Sequence, residues 1–176
     1  DRDWLLDLTH APSIECAWAL HVARMAEFGF DRLFYGFTRY RTQSSLGDPA
    51  DFLLLTNHSR DYTDVFIGDG LYRHAPMVRW ALDHDGACSW RVLAEMMTSG
   101  SLTPDQRRVI DFNRSRNVVA GYSVSFRTVS SRAKGAIALT ARPGMDQDAV
   151  DALWQAQGDL IVLMNNLLHL KVLTLP

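Results

Sequence analysis

The stretch from His58 to Trp90 reads HSRDYTDVFIGDGLYRHAPMVRWALDHDGACSW. Ser59 can cap a short helix reaching Ile67, and Gly68 and Gly70 break it. Pro76 then opens a second helix that carries Val78, Trp80, Ala81 and Leu82 and closes near Gly86. Tyr62, Phe66, Tyr72, Trp80 and Trp90, with Leu71 and Met77 among them, make this region unusually aromatic for a run of short helices and loops. Tyr62 and Phe66 are four apart and share a helix face. Two readings stay open. The cluster is either a second hydrophobic core or the wall of a small-molecule pocket, because such sites are mostly apolar and aromatic with a few aimed polar groups. In the second reading His58, Tyr62 and Ser123 supply the polar tips over a sheet face.

The flanking sequence supplies the sheet. Leu33–Tyr40 reads as an aromatic strand holding Phe34, Gly36 and Thr38, and Arg41–Ala50 as a loop by its Ser, Gly and Pro content. Phe52–Thr56, with Leu54 at its centre, is a continuous apolar run that fits a buried strand, and Cys88–Val92 a short one. Val118–Val129 and Gly135–Ala141 read as a hairpin turning at Ser130–Lys134. Helices are predicted from Ser13 to about Phe28, from Thr103-Pro104 through Phe112, and from Asp146 to near the end of the chain. Strands in runs, joined by a hairpin and separated by helices, give an α/β fold. It is a three-layer α-β-α sandwich with a central antiparallel sheet of about five strands.

Composition narrows the class. The 176 residues suit one domain, and 47% hydrophobic with 22% charged residues is the balance of a folded soluble chain. A net charge of -2 offers no basic field for nucleic acid. Two cysteines, Cys16 and Cys88, are too few for a disulfide framework and lack metal-type spacing. No apolar run is long enough to span a membrane, and the start Asp-Arg-Asp-Trp has neither a basic segment nor an apolar signal core. A cytoplasmic protein without membrane association is expected.

Catalytic and metal-binding motifs are missing. There is no nucleophile elbow, phosphate-cradling loop, dinucleotide fingerprint or His-Glu-x-x-His. Asp83-His84-Asp85 is the most tempting polar cluster, but adjacent helical residues diverge, so it reads as a solvated helix end. His21 and His169 fall within helical patterns and are expected at the core edge or the surface. No enzyme, metal or cofactor is expected, because no nucleophile, base and orienter can be assembled.

The residues around the aromatic stretch carry a family likeness. The chain resembles the N-terminal autoinducer-binding domain of LuxR-type quorum-sensing regulators over nearly its full length. The family's Trp-x-x-x-Tyr, Asp-Pro and later Trp stand here as Tyr62-Thr-Asp-Val-Phe66, Ala75-Pro76 and Trp90. Gly29-Phe30 and the strand to Gly36 are similar to the family's first strand. Asn117–Ser125 and Gly135–Leu139 are similar to its later strands, and the long C-terminal helix also matches.

The resemblance implies a receptor for N-acyl-homoserine lactones, with the acyl chain between the sheet and a helical layer. In the family the first Trp bonds the lactone carbonyl, the Tyr and Asp hold the amide, and the later Trp packs on the ring. Here Tyr62, Phe66 and Ala75 replace the first three, His58 stands at a Tyr position, and Ala138 replaces a hydroxyl, with Thr140 two residues on. Losing a charged hydrogen-bond partner weakens binding by about 1.5–3 kcal/mol, so this polar set suits a less polar molecule.

The ligand-binding residues expected are Tyr62, Phe66, Trp90, Ser123 and His58 around the head group. Phe34, Gly36, Thr38, Phe52, Leu54 and Ala138 come from the sheet, and Ala75, Met77 and Val78 from the second short helix and its approach. The function expected is sensing of a non-standard acyl-homoserine lactone or another apolar signal. Two alternatives remain. One is ordinary lactone binding with the amide held by His58 or Ser123. The other is a ligand-independent dimerisation module whose pocket is filled, a reading that Phe52 favours. Residues 1–172 form the sensor, and 173–176 begin a linker to a DNA-binding helix-turn-helix domain that is not in this chain. A homodimer is implied by the family, with the exposed face of the last or first helix as its contact.

Overall fold

The computed structural model describes residues 1–128 and 130–176. Five strands form one sheet: β1 (Phe30–Thr38), β2 (Leu53–Thr56), β3 (Gly86–Ser89), β4 (Gly121–Phe126) and β5 (Lys134–Ala141). Their order is β2-β1-β5-β4-β3, with every neighbouring pair antiparallel. Helices cover both faces, as the sequence pattern requires. One layer holds α1 (Arg2–His10), α2 (Ile14–Phe28) and the long α7 (Gln147–Thr174). The other holds α3 (Arg60–Thr63), a π turn at Asp64–Gly68, a 3-10 turn at Leu71–His74, α4 (Pro76–Asp83), α5 (Arg91–Ser99) and α6 (Pro104–Ser115).

The helix ends follow local chemistry. The Ser13 hydroxyl accepts from Cys16 N at 3.1 Å to start α2, and Gly29 ends it at φ 111°, where a side chain would be strained. Thr103 and Gln106 form a reciprocal capping box on α6 at 2.9 and 3.1 Å. The Asp146 carboxylate caps α7 by accepting from Ala149 N at 2.9 Å.

The two faces of the sheet differ in side-chain size. Register aligns Leu55, Tyr35, Ile137, Val124 and Ala87 across the five strands on the face toward α2 and α7. The adjacent row on the opposite face is Leu54, Gly36, Ala136, Ser125 and Gly86, and the next is Thr56, Phe34, Ala138, Ser123 and Cys88. Because side chains alternate with period two, the large residues Leu33, Tyr35, Phe37, Ile137 and Leu139 fall on one side, and the other side is small over Gly36, Ala136 and Ala138, with Phe34 as its one large apolar residue in β1. Tyr35, Leu33, Ile137, Leu139 and Phe126 are at most 1% exposed, each worth roughly 1.5–3 kcal/mol of burial.

Several boundaries differ from the sequence reading. β1 begins at Phe30 and ends at Thr38, and β4 is shorter than Val118–Val129, whose last residue lies outside the described ones. Residues 88–92 do not form one strand: β3 ends at Ser89 because Trp90 donates its backbone N–H to Gly121 O and α5 starts directly after it. Helices α1 and α5 were not read from the sequence.

His21 and His169 are also fully inside, not at an edge. His21 Nε2 donates to Asn165 Oδ1 at 2.8 Å, and His169 Nδ1 shares a 2.7 Å hydrogen bond with the Tyr35 hydroxyl. Burial lowers the pKa of both imidazoles to about 4. His21 Nδ1 has no partner among the described residues, so protonating it has no local acceptor to compensate. The unfolded chain therefore binds more protons than the native one between about pH 6.5 and 4. Stability is full above that window and falls as pH drops through it, on the order of 2–3 kcal/mol per imidazole. Urea unfolding at pH 7 and pH 4.5 measures this loss, and His169→Phe is expected to reduce the pH slope by about one proton.

Candidate functional site

Between the small-residue face and its helical cover lies a cavity of about 320 Å³. Ala136 and Ala138, in the central strand, are only half-buried because they face this space. The volume lies within the range of small-molecule pockets, near its lower end.

One end is built on Trp90. Its backbone N–H donates to Gly121 O at 3.0 Å, and its indole Nε1 donates to Ser123 Oγ at 2.9 Å. A Cβ at Gly121 would lie 3.1 Å from the indole ring and 2.1 Å from Leu139 O, so only glycine lets the ring lie on the sheet here. Tyr62 comes from α3, where the Ser59 hydroxyl accepts from the Tyr62 backbone N–H at 3.3 Å. The Tyr62 hydroxyl donates to Asn113 Oδ1 on α6 at 2.7 Å. The Tyr62 ring stacks on His58 at 4.2 Å and on Phe66 at 5.5 Å, and Phe66 meets Phe34 edge-on at 5.6 Å. Burial holds the His58 imidazole near pKa 4, and Arg32 adds to the effect, so the ring is neutral at pH 7.

The middle and far end are apolar. Phe52 meets Tyr72 edge-on at 5.8 Å, and Ala75, Pro76, Met77 and Val78 bring the start of α4 over Gly36 and Leu54. The Ser125 hydroxyl anchors α4 by donating to Ala81 O at 2.7 Å. Thr38 donates to Leu46 O at 3.0 Å and closes the loop after β1 against the wall. At the floor Lys134 is 7% exposed, and its Nζ donates to His84 O, Asp85 Oδ1 and Phe126 O at 2.9, 2.7 and 3.1 Å. Its charge is thus spent on the protein itself, and that hydrogen bond holds the Asp85 carboxyl below the usual carboxylate range.

Each of the fourteen ligand-binding residues expected from the sequence lines this one cavity, whereas Leu71 and Trp80 of the same stretch do not, Trp80 stacking on His84 instead. Sequence reading missed Asn113, Lys134, Ile110, Leu93 and Met97, which line it too. Asn113 stands four residues after Val109, so helical spacing placed it on the inward face of α6. The Asp83-His84-Asp85 cluster disperses: Asp83 pairs with Arg79, His84 bonds Trp80 O, and Asp85 takes Lys134. Among the described residues no Asp or Glu lines the cavity, and no group of His, Cys, Asp or Glu is placed to hold a metal ion.

Two substitutions test this wall in the free protein. Trp90→Ala removes the ring over Gly121 and leaves Ser123 without its donor, so a loss of about 3–5 kcal/mol is expected in chemical unfolding. Tyr62→Phe leaves Asn113 Oδ1 without its donor while keeping the stacked ring, and about 1 kcal/mol is expected.

The fold and cavity have counterparts among known proteins. The chain superposes on CepR2 from Burkholderia cenocepacia, a LuxR family transcription factor described as N-acylhomoserine lactone dependent. The TM-score is 0.72 at 17% identity, over 98% of this chain and 93% of that one. It also superposes on SdiA in complex with octanoyl-rac-glycerol, a protein of Escherichia coli, with TM-score 0.68 and 12% identity over 97% of this chain and 65% of that one. For the VqsR ligand-binding domain from Pseudomonas aeruginosa the TM-score is 0.58 at 16% identity, over 96% and 94% of the two chains. No curated protein matches the sequence. The model of the autoinducer binding domain matches residues 13–172, which include all five strands and the cavity between them and their helical cover. The chain therefore belongs to the autoinducer-binding domain family, the signal-sensing, non-enzymatic domain of LuxR-type quorum-sensing regulators.

Proposed function

We propose that the cavity receives a small apolar signal, either a non-standard acyl-homoserine lactone or another acyl compound, and that its occupancy sets the regulator's state. The observation that carries this reading is the wall itself. It has an open volume floored by Gly36, Ala136, Ala138 and Ser123, with Ala75 and Phe66 where the family places groups that hold an amide. One similar structure is described as lactone dependent and another holds octanoyl-rac-glycerol, so acylated small molecules are the chemistry to test first. In this reading residues 1–172 sense the signal in the cytoplasm as a homodimer, and the chain from 173 leads toward a helix-turn-helix domain that contacts DNA. No helix among the described residues is long and apolar enough to cross a membrane.

A second reading, ordinary lactone binding, draws on His58. Its neutral ring lines the cavity and offers a lone pair to an amide N–H. The filled-pocket alternative is disfavoured by about 320 Å³ of open volume despite Phe52.

Mass spectrometry of the solvent extract from purified, denatured protein is expected to show one recurrent apolar small molecule. A panel of ordinary lactones is expected to move the melting temperature by less than about 1 °C. A ligand at a hundredfold excess over its Kd contributes about 2.7 kcal/mol, which is several degrees for a domain of this size. A multi-degree lactone shift that His58→Phe abolishes would establish the second reading. An empty extract, together with no shift from any acyl compound, would contradict the sensing role.

A further inference from the structure

Among the described residues that line the cavity, only Arg91, Ala94, Arg114 and Val119 are exposed, Val119 to 54%. Arg91 and Ala94 stand on the first turn of α5, Arg114 on the last turn of α6, and Val119 in the short link to β4. The mouth of the cavity therefore lies between α5 and the end of α6. α5 makes a loose rim there. None of its nine residues is buried, and Leu93 and Met97 turn half-buried toward the space. Arg114 crosses the gap between the two helices, with its Nη2 3.7 Å from the Met97 thioether on α5.

The charges at the mouth are one-sided. Both exposed ionisable groups of the lining are arginines, and no Asp or Glu lines the cavity among the described residues. Arg91 is neutralised by Asp148 and Asp151 of α7. Arg114 pairs with no carboxylate among the described residues, and Glu95 and Asp111, on the same two helices, lie outside the lining. Asn113 beside it gives its Oδ1 to the Tyr62 hydroxyl and keeps its amide N–H groups to donate. The buried residues next to the rim, Trp90, Ile110 and Val118, are apolar, and Lys134 at the floor already has Asp85. A carboxylate carried below the rim would lose its hydration without gaining a counter-charge, so an anion is held at the mouth or not at all.

We infer that the cavity takes an amphiphile tail first, a straight-chain acyl carboxylate whose anionic head stays at the mouth on Arg114. The inference rests on the cavity being an acyl site and adds the charge and orientation of its occupant. The tail leaves water along the small face at Ala136 and Ala138. The head keeps its hydration and gains a guanidinium, whose fork can hold both carboxylate oxygens. About 320 Å³ encloses on the order of ten non-hydrogen atoms, at roughly 30 Å³ each, so a chain of about ten carbons fills it with the head outside. An ion pair in contact with water is weak, so Arg114 is expected to set preference among heads by a few-fold, while the tail supplies most of the affinity.

Decanoate, methyl decanoate and decyltrimethylammonium share one tail length and differ in head charge. Each is titrated into the protein at about pH 7.5, below its micelle concentration, and followed by tryptophan fluorescence. Decanoate is expected to bind about tenfold more tightly than decyltrimethylammonium, and about 0.5 M salt is expected to narrow that gap. Arg114→Gln is expected to weaken decanoate about threefold and leave methyl decanoate unchanged. Arg114→Glu is expected to invert the order of the two ions, a gain for the cation that a misfolded variant cannot show. Equal binding of the two ions by the unsubstituted protein would overturn the inference while leaving the acyl site standing. So would decanoate binding that neither substitution changes, or binding of the ester alone. Failure of all three compounds to bind would overturn both.

Discussion

Everything in this domain depends on the alternation of small and large side chains along β1 and β5. Tyr35, Phe37, Ile137 and Leu139 point to one side, and Gly36, Ala136, Ala138 and Thr140 to the other. A period of two sends these two sets to opposite faces, and Phe34 is the large exception on the cavity side. The large face makes the core with α2 and α7, and the small face leaves room. The cavity is therefore a product of register: a slip of one residue would exchange the two faces and abolish both core and cavity.

The two helical layers answer these faces differently. Toward the large face, α7 is long and carries Val150, Ile161, Met164, Leu168 and Val172 inward, with Asn165 and His169 fixed by hydrogen bonds to His21 and Tyr35. Toward the small face, the cover is short pieces that cannot be stable alone. They are tied down by single contacts to the backbone: Ser125 to Ala81 O, Arg41 to Leu82 O, Thr38 to Leu46 O, and Trp90 to Gly121 O. Apolar side chains also meet the cavity from this layer without filling it. A cover of this kind leaves the pocket's stability tied to what occupies it.

Much of this was legible in the sequence, and the misses have physical causes. The strands along the chain and the three-layer class followed from turn chemistry and apolar runs, and Tyr62, Phe66 and Trp90 were placed by spacing, whereas the order β2-β1-β5-β4-β3 within the sheet was not read. α1 was missed because Arg2–His10 mixes charge and apolar residues at an unanchored start, and its helix rests on packing Trp4 and Leu8 against the rest. α5 was missed because none of its residues is buried, so its pattern carries little core signal. His21 and His169 were placed too far out because a polar residue in a helix usually faces water. Here each finds a partner 134 or more residues away, which no local pattern reveals. Thr140 was seen as a hydroxyl on the Ala138 face, but that its Oγ1 is buried without a partner among the described residues is a three-dimensional fact.

The open space beside the sheet is the central claim, and the sign of one mutational free energy tests it most directly. Ala138→Leu adds apolar volume at the middle of the small face. If the space is real, urea unfolding should show the free protein unchanged or stabilised by up to about 2 kcal/mol, as new apolar surface leaves water without a clash. A loss of about 1–3 kcal/mol, the signature of an overpacked core, would contradict it.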